Sequence, residues 1–413
     1  MKMSRESQGG DYDVAVAGAG PVGLFTALRL AQAGLRVVVL ERGAALGTSS
    51  KASTFHPSTL ELLDTVSLAK PLIELGVRVE ALEWRDLDGQ LLAQIPFSLL
   101  SDLTRFDFRL HAEQTLLTPL LSAALQKLQP GALHFNTQVT GIEDGPQQIR
   151  VTAANPDGLT SYTASYLVAA DGAASTLRKL AEIEFPGAAY PARTLRVITT
   201  DDLHDRKPTL SGMTYVRDDR GSCSILRMRD HWRLIFRVIG EQDERELVEP
   251  SYVRSLVDPI MPGIAISDAH VYSNRHHVAS SLRAGRVLLA GDAAHLTTTA
   301  GGMNMNCGLQ DGFAFSAALI AHLQGDAPEQ VLSSTAEARR RAVTQVIIPR
   351  SEARAAGADG KREQLHDSLS KLRATAADPV SARQYAYEAS MFDTCPERQH
   401  PGAPEQPIGE LHR

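Results

Sequence analysis

The sequence predicts an α/β chain: a doubly wound nucleotide-binding domain, interrupted by a mainly antiparallel β-sheet insert and followed by a helical C-terminal part. Three observations predict it. An apolar strand runs into Gly18-Ala19-Gly20-Pro21-Val22-Gly23 and then into a helix with small and apolar residues on one face. Two later apolar strands end on an acid, at Asp171-Gly172 and at Gly291-Asp292. Between those two, residues 185–276 change to short strand-like pieces punctuated by turns, and from Pro328 the composition turns to Ala, Arg, Glu and Leu.

In chain order, residues 12–16 read as a strand, 24–32 as a helix and 35–40 as a β-branched strand ending at Glu41. Together they fit the roughly 30 residues of a dinucleotide fingerprint. Gly18 permits the tight turn, Gly20 leaves the backbone open to a pyrophosphate, and Gly23 lets helix and strand pack closely. The helix N-terminus offers free N–H groups and a partial positive charge to phosphate. Glu41 stands where a carboxylate accepts hydrogen bonds from an adenosine ribose. The fingerprint alone fits NAD or FAD; a plain Gly-rich turn would lack the strand, helix and acid at this spacing.

Residues 42–54 read as a loop whose one strong cation after Arg42 is Lys51, equally readable as a solvated surface lysine. A helix is expected over 59–68, strands over 77–84 and 91–95 around Asp88-Gly89, and a long amphipathic helix over 114–128. Short strands follow over 133–139, 149–153 and 160–164, and the run 166–170 delivers Asp171 to a strand's carboxyl end, where α/β sheets place ligands. The bland alternative there is an Asp-Gly turn with a capping serine. Strands at 211–217, 222–228 and 232–239 read as an antiparallel insert, the first two flanking Asp218-Asp219-Arg220-Gly221. The run 285–290 leads to Asp292, and a third helix is expected from about 308 to 323, with Asp311 in its first turn matching the helix dipole. The expected divisions are 11–184 and 277–327 for the two parts of the nucleotide domain, 185–276 for the insert, 328–393 for C-terminal helices and 394–413 for a disordered tail.

Composition narrows the classes. A chain of 413 residues exceeds one small core, and its 43% hydrophobic and 22% charged residues are ordinary for a soluble globular protein. A net charge of −6 gives no reason to expect nucleic acid or an anionic membrane surface. Residues 1–10 are polar and lack an apolar signal core, and no apolar run reaches the ~18 residues of a membrane span. Cys223, Cys307 and Cys395 form no C-x-x-C pair or metal-ligand cluster, so they read as idle thiols in a reducing cytoplasm, with no metal. Arg339-Arg340-Arg341 has no interleaved aromatic residues and reads as a solvated helix face.

The three motifs in this order resemble the class A flavoprotein monooxygenases, the p-hydroxybenzoate hydroxylase family, over about residues 13–323. The resemblance implies a Rossmann-like FAD-binding domain, with FAD rather than NAD in the first fingerprint. By it, Gly18, Ala19, Gly20, Pro21, Val22 and Gly23 cradle FAD, and Glu41 holds the adenosine ribose. Gln114 contacts the pyrophosphate–ribityl region, and Asp292 the ribityl chain. Asp171 touches both FAD and NAD(P)H, and Arg42, Lys51 and Val139 join the cofactor-binding set. Gly301, Gly302, Met303, Asn304 and Met305 form the loop beneath the flavin pyrimidine ring. N–H groups at a helix N-terminus there would favour the anionic N(1)–C(2)=O edge of reduced flavin by about 0.3–2 kcal/mol.

The implied reaction is reduction of FAD by NADH or NADPH, which visits transiently because a second fingerprint is absent. Molecular oxygen then gives a flavin C(4a)-hydroperoxide that hydroxylates a phenol-like or heteroaromatic small molecule. Tyr215 is the candidate catalytic residue, against the plainer reading of a half-buried strand tyrosine. His295 reads as structural, and Arg233 as a guard for the flavin or the partner of an acid. A homodimer is a candidate assembly. This chain departs from the family pattern at Thr298 and Thr299, where prolines are usual, at Asn304, where glycine is usual and a left-handed backbone is still open to asparagine, and at Lys51, where an arginine is common. A flavin halogenase would want Trp-x-Trp-x-Ile-Pro, which Trp84 and Trp232 do not supply. An FAD-dependent reductase or dehydrogenase of a lipid-like or polycyclic substrate, and a flavin-bound sensor, share the scaffold and remain the alternatives.

Overall fold

Val14, Ala15 and Val16 are completely buried because their strand, Tyr12–Ala17, lies inside a sheet whose neighbours run parallel to it. The computed structural model describes residues 12–49, 52–240, 242–359 and 362–396. Its first sheet has the order Arg283–Ala284, Val287–Leu289, Gly158–Ala169, Tyr12–Ala17, Val37–Leu40, Leu133–His134. Gly158–Ala169 is one 12-residue strand where two were expected. Its first half pairs antiparallel with Ile149–Asn155, and its second half pairs parallel with Tyr12–Ala17 and Val287–Leu289. No glycine or proline interrupts it, so the alternation of buried Tyr162, Ala164 and Tyr166 continues.

The helix after the Gly-rich turn spans Pro21–Gln32, three residues earlier than expected. Pro21 sits at the first helical position, where its fixed φ suits the helix and its missing N–H leaves nothing unsatisfied. Gly18 has φ +103°, and a Cβ there would lie 2.3 Å from the Ala170 carbonyl oxygen. A Cβ on Gly23 would lie 2.1 Å from the Gly18 carbonyl oxygen. Neither position has room for any side chain.

The second sheet has the order His295–Leu296, Asp268–Val278, Gly187–Thr199, Trp232–Ile239, Gly221–Arg227, Met213–Asp218, Ala81–Arg85, Leu91–Pro96. It is antiparallel throughout except where Met213–Asp218 meets Ala81–Arg85. Residues 185–276 therefore supply its middle, while strands from before and after them complete its edges. Asp219 and Arg220 form the two-residue hairpin between Met213–Asp218 and Gly221–Arg227. The helices Gln330–Ala342, Ile348–Asp359, Arg362–Ala377 and Pro379–Ala389 follow. Thr394 and Cys395, expected in the tail, are buried; residues 397–413 lie outside the described residues.

The helix expected from about 308 spans Asn304–Leu323, which moves Asp311 from its first turn to its third. Asp311 is completely buried and serves as a junction, not as a dipole partner. Its carboxylate accepts from His295 Nε2 at 2.6 Å, from Arg339 Nε at 2.9 Å and from the Gly291 N–H at 3.1 Å. Arg339, read from sequence as part of a solvated face, is buried here and donates onward to the Thr394 carbonyl. Arg340 donates to the Ala279 carbonyl, and only Arg341 lies on an exposed face, paired with Glu337. His295, Cys307 and Asp311 bring their ligand atoms within 4.8 Å of one another, but the Arg339 guanidinium already supplies the positive charge there.

Burial alone would raise the Asp311 pKa; the His295 and Arg339 charges outweigh it and hold the carboxyl below its ordinary value. Its stabilising contribution is therefore present above the ordinary carboxylate pKa of ~3.9 and is lost as pH falls through the lower folded value. Asp311→Ala leaves two buried cations uncompensated and should cost about 3–5 kcal/mol, read as a lower urea midpoint at pH 7. The deficit relative to the parent protein should shrink as pH falls below 4.

Candidate active site

Three parallel strands bring their carboxyl ends together. The Ala170 N–H donates to the Ala17 carbonyl at 2.9 Å, and the Ala290 N–H donates to the Ala169 carbonyl at 3.0 Å. Gly18, Asp171 and Asp292 thus emerge side by side at one end of the sheet. Beside them lies a cavity of about 1900 Å³, roughly twice the upper end of the ~300–1,000 Å³ usual for small-molecule pockets.

The cavity gathers most of the residues singled out from sequence. Gly18, Ala19, Gly20, Pro21, Val22, Glu41, Arg42, Gln114, Val139, Asp171 and Asp292 line one reach; Gly301, Gly302, Met303, Asn304, Met305 and Tyr215 line the other. Gly23 does not line it and serves packing instead. Lys51 lies outside the described residues.

Glu41 reaches back across the turn: one carboxylate oxygen accepts from the Ala19 N–H and the other from the Gly43 N–H, both at 2.7 Å. Asp171 caps the helix Thr176–Leu180 through one oxygen, accepting from Thr176 N at 2.8 Å and Leu177 N at 3.2 Å. Its other oxygen is buried at the cavity wall without a hydrogen-bond partner among the described residues. Gln114 opens the helix Gln114–Leu128 and accepts from the Ala52 N–H. Arg233 pairs with Glu113, so of its two expected roles the structure shows the acid partner.

The turn before Asn304–Leu323 is held by side chains. Gly301 and Gly302 have φ +84° and +66°, the left-handed region glycine adopts freely. Asn304, by contrast, is the first helical residue and is not left-handed. It grips Thr297 in both directions, accepting from its N–H at 3.1 Å and donating to its carbonyl at 3.0 Å. Of the two threonines in proline positions, Thr299 lines the cavity, while Thr298 is buried against Ser351 at 2.6 Å.

Several contributors carried no sequence signal. His56 Nε2 meets the Gly301 carbonyl at 3.0 Å, and Asn306 donates to the Gly302 carbonyl at 2.7 Å and the Thr54 carbonyl at 2.9 Å. A carbonyl only accepts, so His56 Nε2 carries the proton. Burial, with the Arg109 and Arg354 charges, holds the His56 pKa well below its ordinary value, which keeps the ring neutral. Beyond the turn, Trp84 stacks on Tyr215 with centroids 5.3 Å apart and meets Tyr385 edge-on at 5.8 Å. These positions are scattered through the chain and share no motif.

The surroundings fit FAD. A Cβ on Gly20 would meet nothing within 4 Å, so the N-terminus of Pro21–Gln32 faces open cavity where a pyrophosphate would approach. One Asp171 oxygen is unpartnered among the described residues, and Glu41 lines the same cavity beside Ala19. The model for the family described as FAD binding domain matches residues 11–350.

The chain belongs to this FAD-binding family. The 12-dehydrotetracycline 5-monooxygenase/anhydrotetracycline 6-monooxygenase of Streptomyces rimosus is 31% identical over 418 residues, covering 96% of this chain and 79% of that relative. The para-nitrophenol 4-monooxygenase of Pseudomonas sp. strain WBC-3 is 27% identical over 347 residues, covering 82% and 85%. The crystal structure of p-nitrophenol 4-monooxygenase PnpA from Pseudomonas putida DLL-E4 superposes with a TM-score of 0.86 at 25% identity, covering 93% of this chain and 98% of that one. The protein is thus an FAD-dependent monooxygenase of the aromatic hydroxylase type, with NAD(P)H as the family's reductant. Among the described residues no helix is long and apolar enough to cross a membrane.

Gly20→Ala places a methyl group where only the cofactor would contact it, at a backbone conformation (φ −74°, ψ 177°) that alanine adopts without strain. FAD affinity, measured by fluorescence quenching on the apoprotein, should fall about tenfold or more, while the thermal midpoint of the apoprotein moves little.

Proposed function

We propose that the protein hydroxylates the ring of a phenol-like or polycyclic aromatic compound, putting one oxygen atom of O2 on the ring and releasing the other as water. One observation carries this reading: the cavity that holds the nucleotide-binding motifs continues past Gly301 and Gly302 into the box of Trp84, Tyr215 and Tyr385. A planar guest there would lie against aromatic faces on the side away from the nucleotide turn. The relatives named for p-nitrophenol and for a tetracycline-type polycycle support an aromatic guest without choosing its size.

In this reading Gly18, Ala19, Gly20 and Pro21 hold the FAD pyrophosphate, Glu41 and Val139 the adenosine end, Asp171 and Asp292 the middle, and the backbone of residues 301–305 the flavin ring. Bound FAD supplies the redox chemistry, taking a hydride equivalent from NAD(P)H and activating O2. The chain's own residues orient and exclude. Buried Met303 and Leu226, with half-buried Ile235, line the substrate reach and keep it dry. Tyr215 stands on Met213–Asp218, lines the cavity and stacks on Trp84. Its hydroxyl can donate a hydrogen bond to a guest there. Donated to a phenol oxygen, it would stabilise the negative charge that makes the ring nucleophilic.

Turnover under 18O2 should place one labelled atom in the product; product without label would favour the dehydrogenase alternative. Tyr215→Phe should lower the rate of hydroxylation by roughly 10²-fold or more while FAD content stays that of the parent. Unchanged turnover in that variant would return Tyr215 to a packing role.

A further inference from the structure

Asn274 is a carboxamide only 4% exposed, in the strand Asp268–Val278. It stands where that strand and Gly187–Thr199 fall out of register. Arg193 pairs with Ser273 and Ala189 with Arg275, so Tyr190, Pro191 and Ala192 oppose Asn274 alone. A bulge of this kind bends its strand and re-aims side chains, and bulges gather beside active sites. Asn274 Nδ2 donates to the Thr194 hydroxyl at 2.8 Å and to the Ala192 carbonyl at 3.4 Å. A carbonyl only accepts, which fixes the nitrogen on that side and leaves Oδ1 on the other. Oδ1 accepts from the Thr299 hydroxyl at 3.4 Å.

Thr299 belongs to the turn before Asn304–Leu323. Its hydroxyl also lies 3.4 Å from that of buried Thr194, so Asn274, Thr194 and Thr299 close a ring of hydrogen bonds. The Thr299 carbonyl accepts from the Gly302 N–H at 3.1 Å. A shift of Thr299 therefore carries Gly302 with it. The neighbouring Thr298 is held separately, by Ser351 of the helix Ile348–Asp359. Tyr190 of the bulge donates to Glu352 of that same helix at 2.7 Å. Sheet, turn and helix are thus joined pairwise, and Asn274 is a link between sheet and turn. Burying a carboxamide is costly unless its hydrogen bonds are made; here one end is spent on the bulge and its strand, the other on the turn.

We propose that Asn274 is a positioning residue for hydroxylation: acting through Thr299, it fixes the turn at residues 299–305 relative to the sheet that carries Tyr215. The strands Asp268–Val278 and Met213–Asp218 belong to that one sheet. One element therefore holds both the anchor of the turn and a contact of the guest, and sets the distance between flavin and ring. In a coupled turnover NAD(P)H, a proton, O2 and the guest give NAD(P)+, a ring C–OH in place of C–H, and water. In an uncoupled one NAD(P)H, a proton and O2 give NAD(P)+ and H2O2. Which occurs depends on whether the ring is in reach, and a misplacement of about 1 Å can cost ~10²-fold in rate. The effect on product rests on the hydroxylase reading; the effect on bound flavin does not.

The test is a double-mutant cycle on the FAD-loaded enzyme: Asn274→Leu, Thr299→Val and the two together. Two quantities are read, the midpoint potential of the bound FAD and the share of NAD(P)H oxidation that ends as H2O2 with 4-nitrophenol or 2-naphthol as guest. Thr299→Val keeps the shape of a side chain that is exposed to the cavity, so it breaks the link even where Asn274→Leu folds poorly. Each single variant should weaken binding of reduced relative to oxidised FAD by about tenfold, which lowers the two-electron midpoint potential by about 30 mV. The peroxide share should rise by about threefold or more. The pair should be no worse than either single variant, since both remove the same link. Parent-like potentials in both single variants, or losses that add in the pair, would overturn the role of Asn274. A parent enzyme that hydroxylates neither phenol would count against the hydroxylase reading, while the potentials still decide the role of Asn274.

Discussion

The site depends on the parallel registration of three strands. Tyr12–Ala17, Gly158–Ala169 and Val287–Leu289 must end at the same level, since each delivers one polar or glycine element at its carboxyl end. Registration at this distance allows no side chain at Gly18, whose backbone sits against Ala170, and none at Gly23, which sits against Gly18. Two glycines thus set the spacing of the turn to its sheet and helix, and the neighbouring Gly20 is left free to face the cavity. The last strand is only three residues long and is fixed from behind, by the Asp311 carboxylate on the Gly291 N–H. That buried carboxylate couples the sheet end to His295 and, through Arg339, to the C-terminal segment at Thr394. The helices after residue 328 are therefore part of how the cavity holds its shape.

The Gly-rich turn before Asn304 keeps its form with threonines, not prolines, at positions 298 and 299. Fixing a backbone by pyrrolidine rings and fixing it by side-chain hydrogen bonds are two solutions to one problem, the entropy of a Gly-rich loop. Here Asn304 clamps Thr297, Thr298 bonds Ser351, and His56 and Asn306 take the carbonyls of Gly301 and Gly302. With those carbonyls tied down, and the Gly302 N–H donating to the Thr299 carbonyl at 3.1 Å, the turn is held in one form. A neutral His56 suits this role, because a charged ring would be buried and repelled by the Arg109 and Arg354 charges.

Much of this was legible in the sequence where local chemistry leaves a local trace. The Gly-rich turn, the two strand-end acids and the loop at residues 301–305 are contiguous, and each is found on the cavity. What escaped was assembled from distance. Gly187–Thr199 and Asp268–Val278, the two longest strands of the second sheet, carry little apolar alternation. One of them contains Pro191 at a register shift, and the other is rich in His, Arg and Asn. Asp311, read as a helix-dipole partner, and Arg339, read as part of a solvated face, were misread for a related reason: a charge on a helix carries no trace of a partner 28 residues away that folding brings to 2.9 Å. The aromatic box joins positions 84, 215 and 385; Tyr215 was singled out from sequence, but no spacing rule links it to Trp84 and Tyr385.

The most direct measurement of the central claim is a crystal structure of the protein grown with FAD. The isoalloxazine should lie against the backbone of residues 301–305, the adenosine ribose at Glu41, and the pyrophosphate over Gly20, leaving the box of Trp84, Tyr215 and Tyr385 open beside the flavin. FAD bound with its ring system away from that turn, or filling the aromatic box itself, would contradict the account.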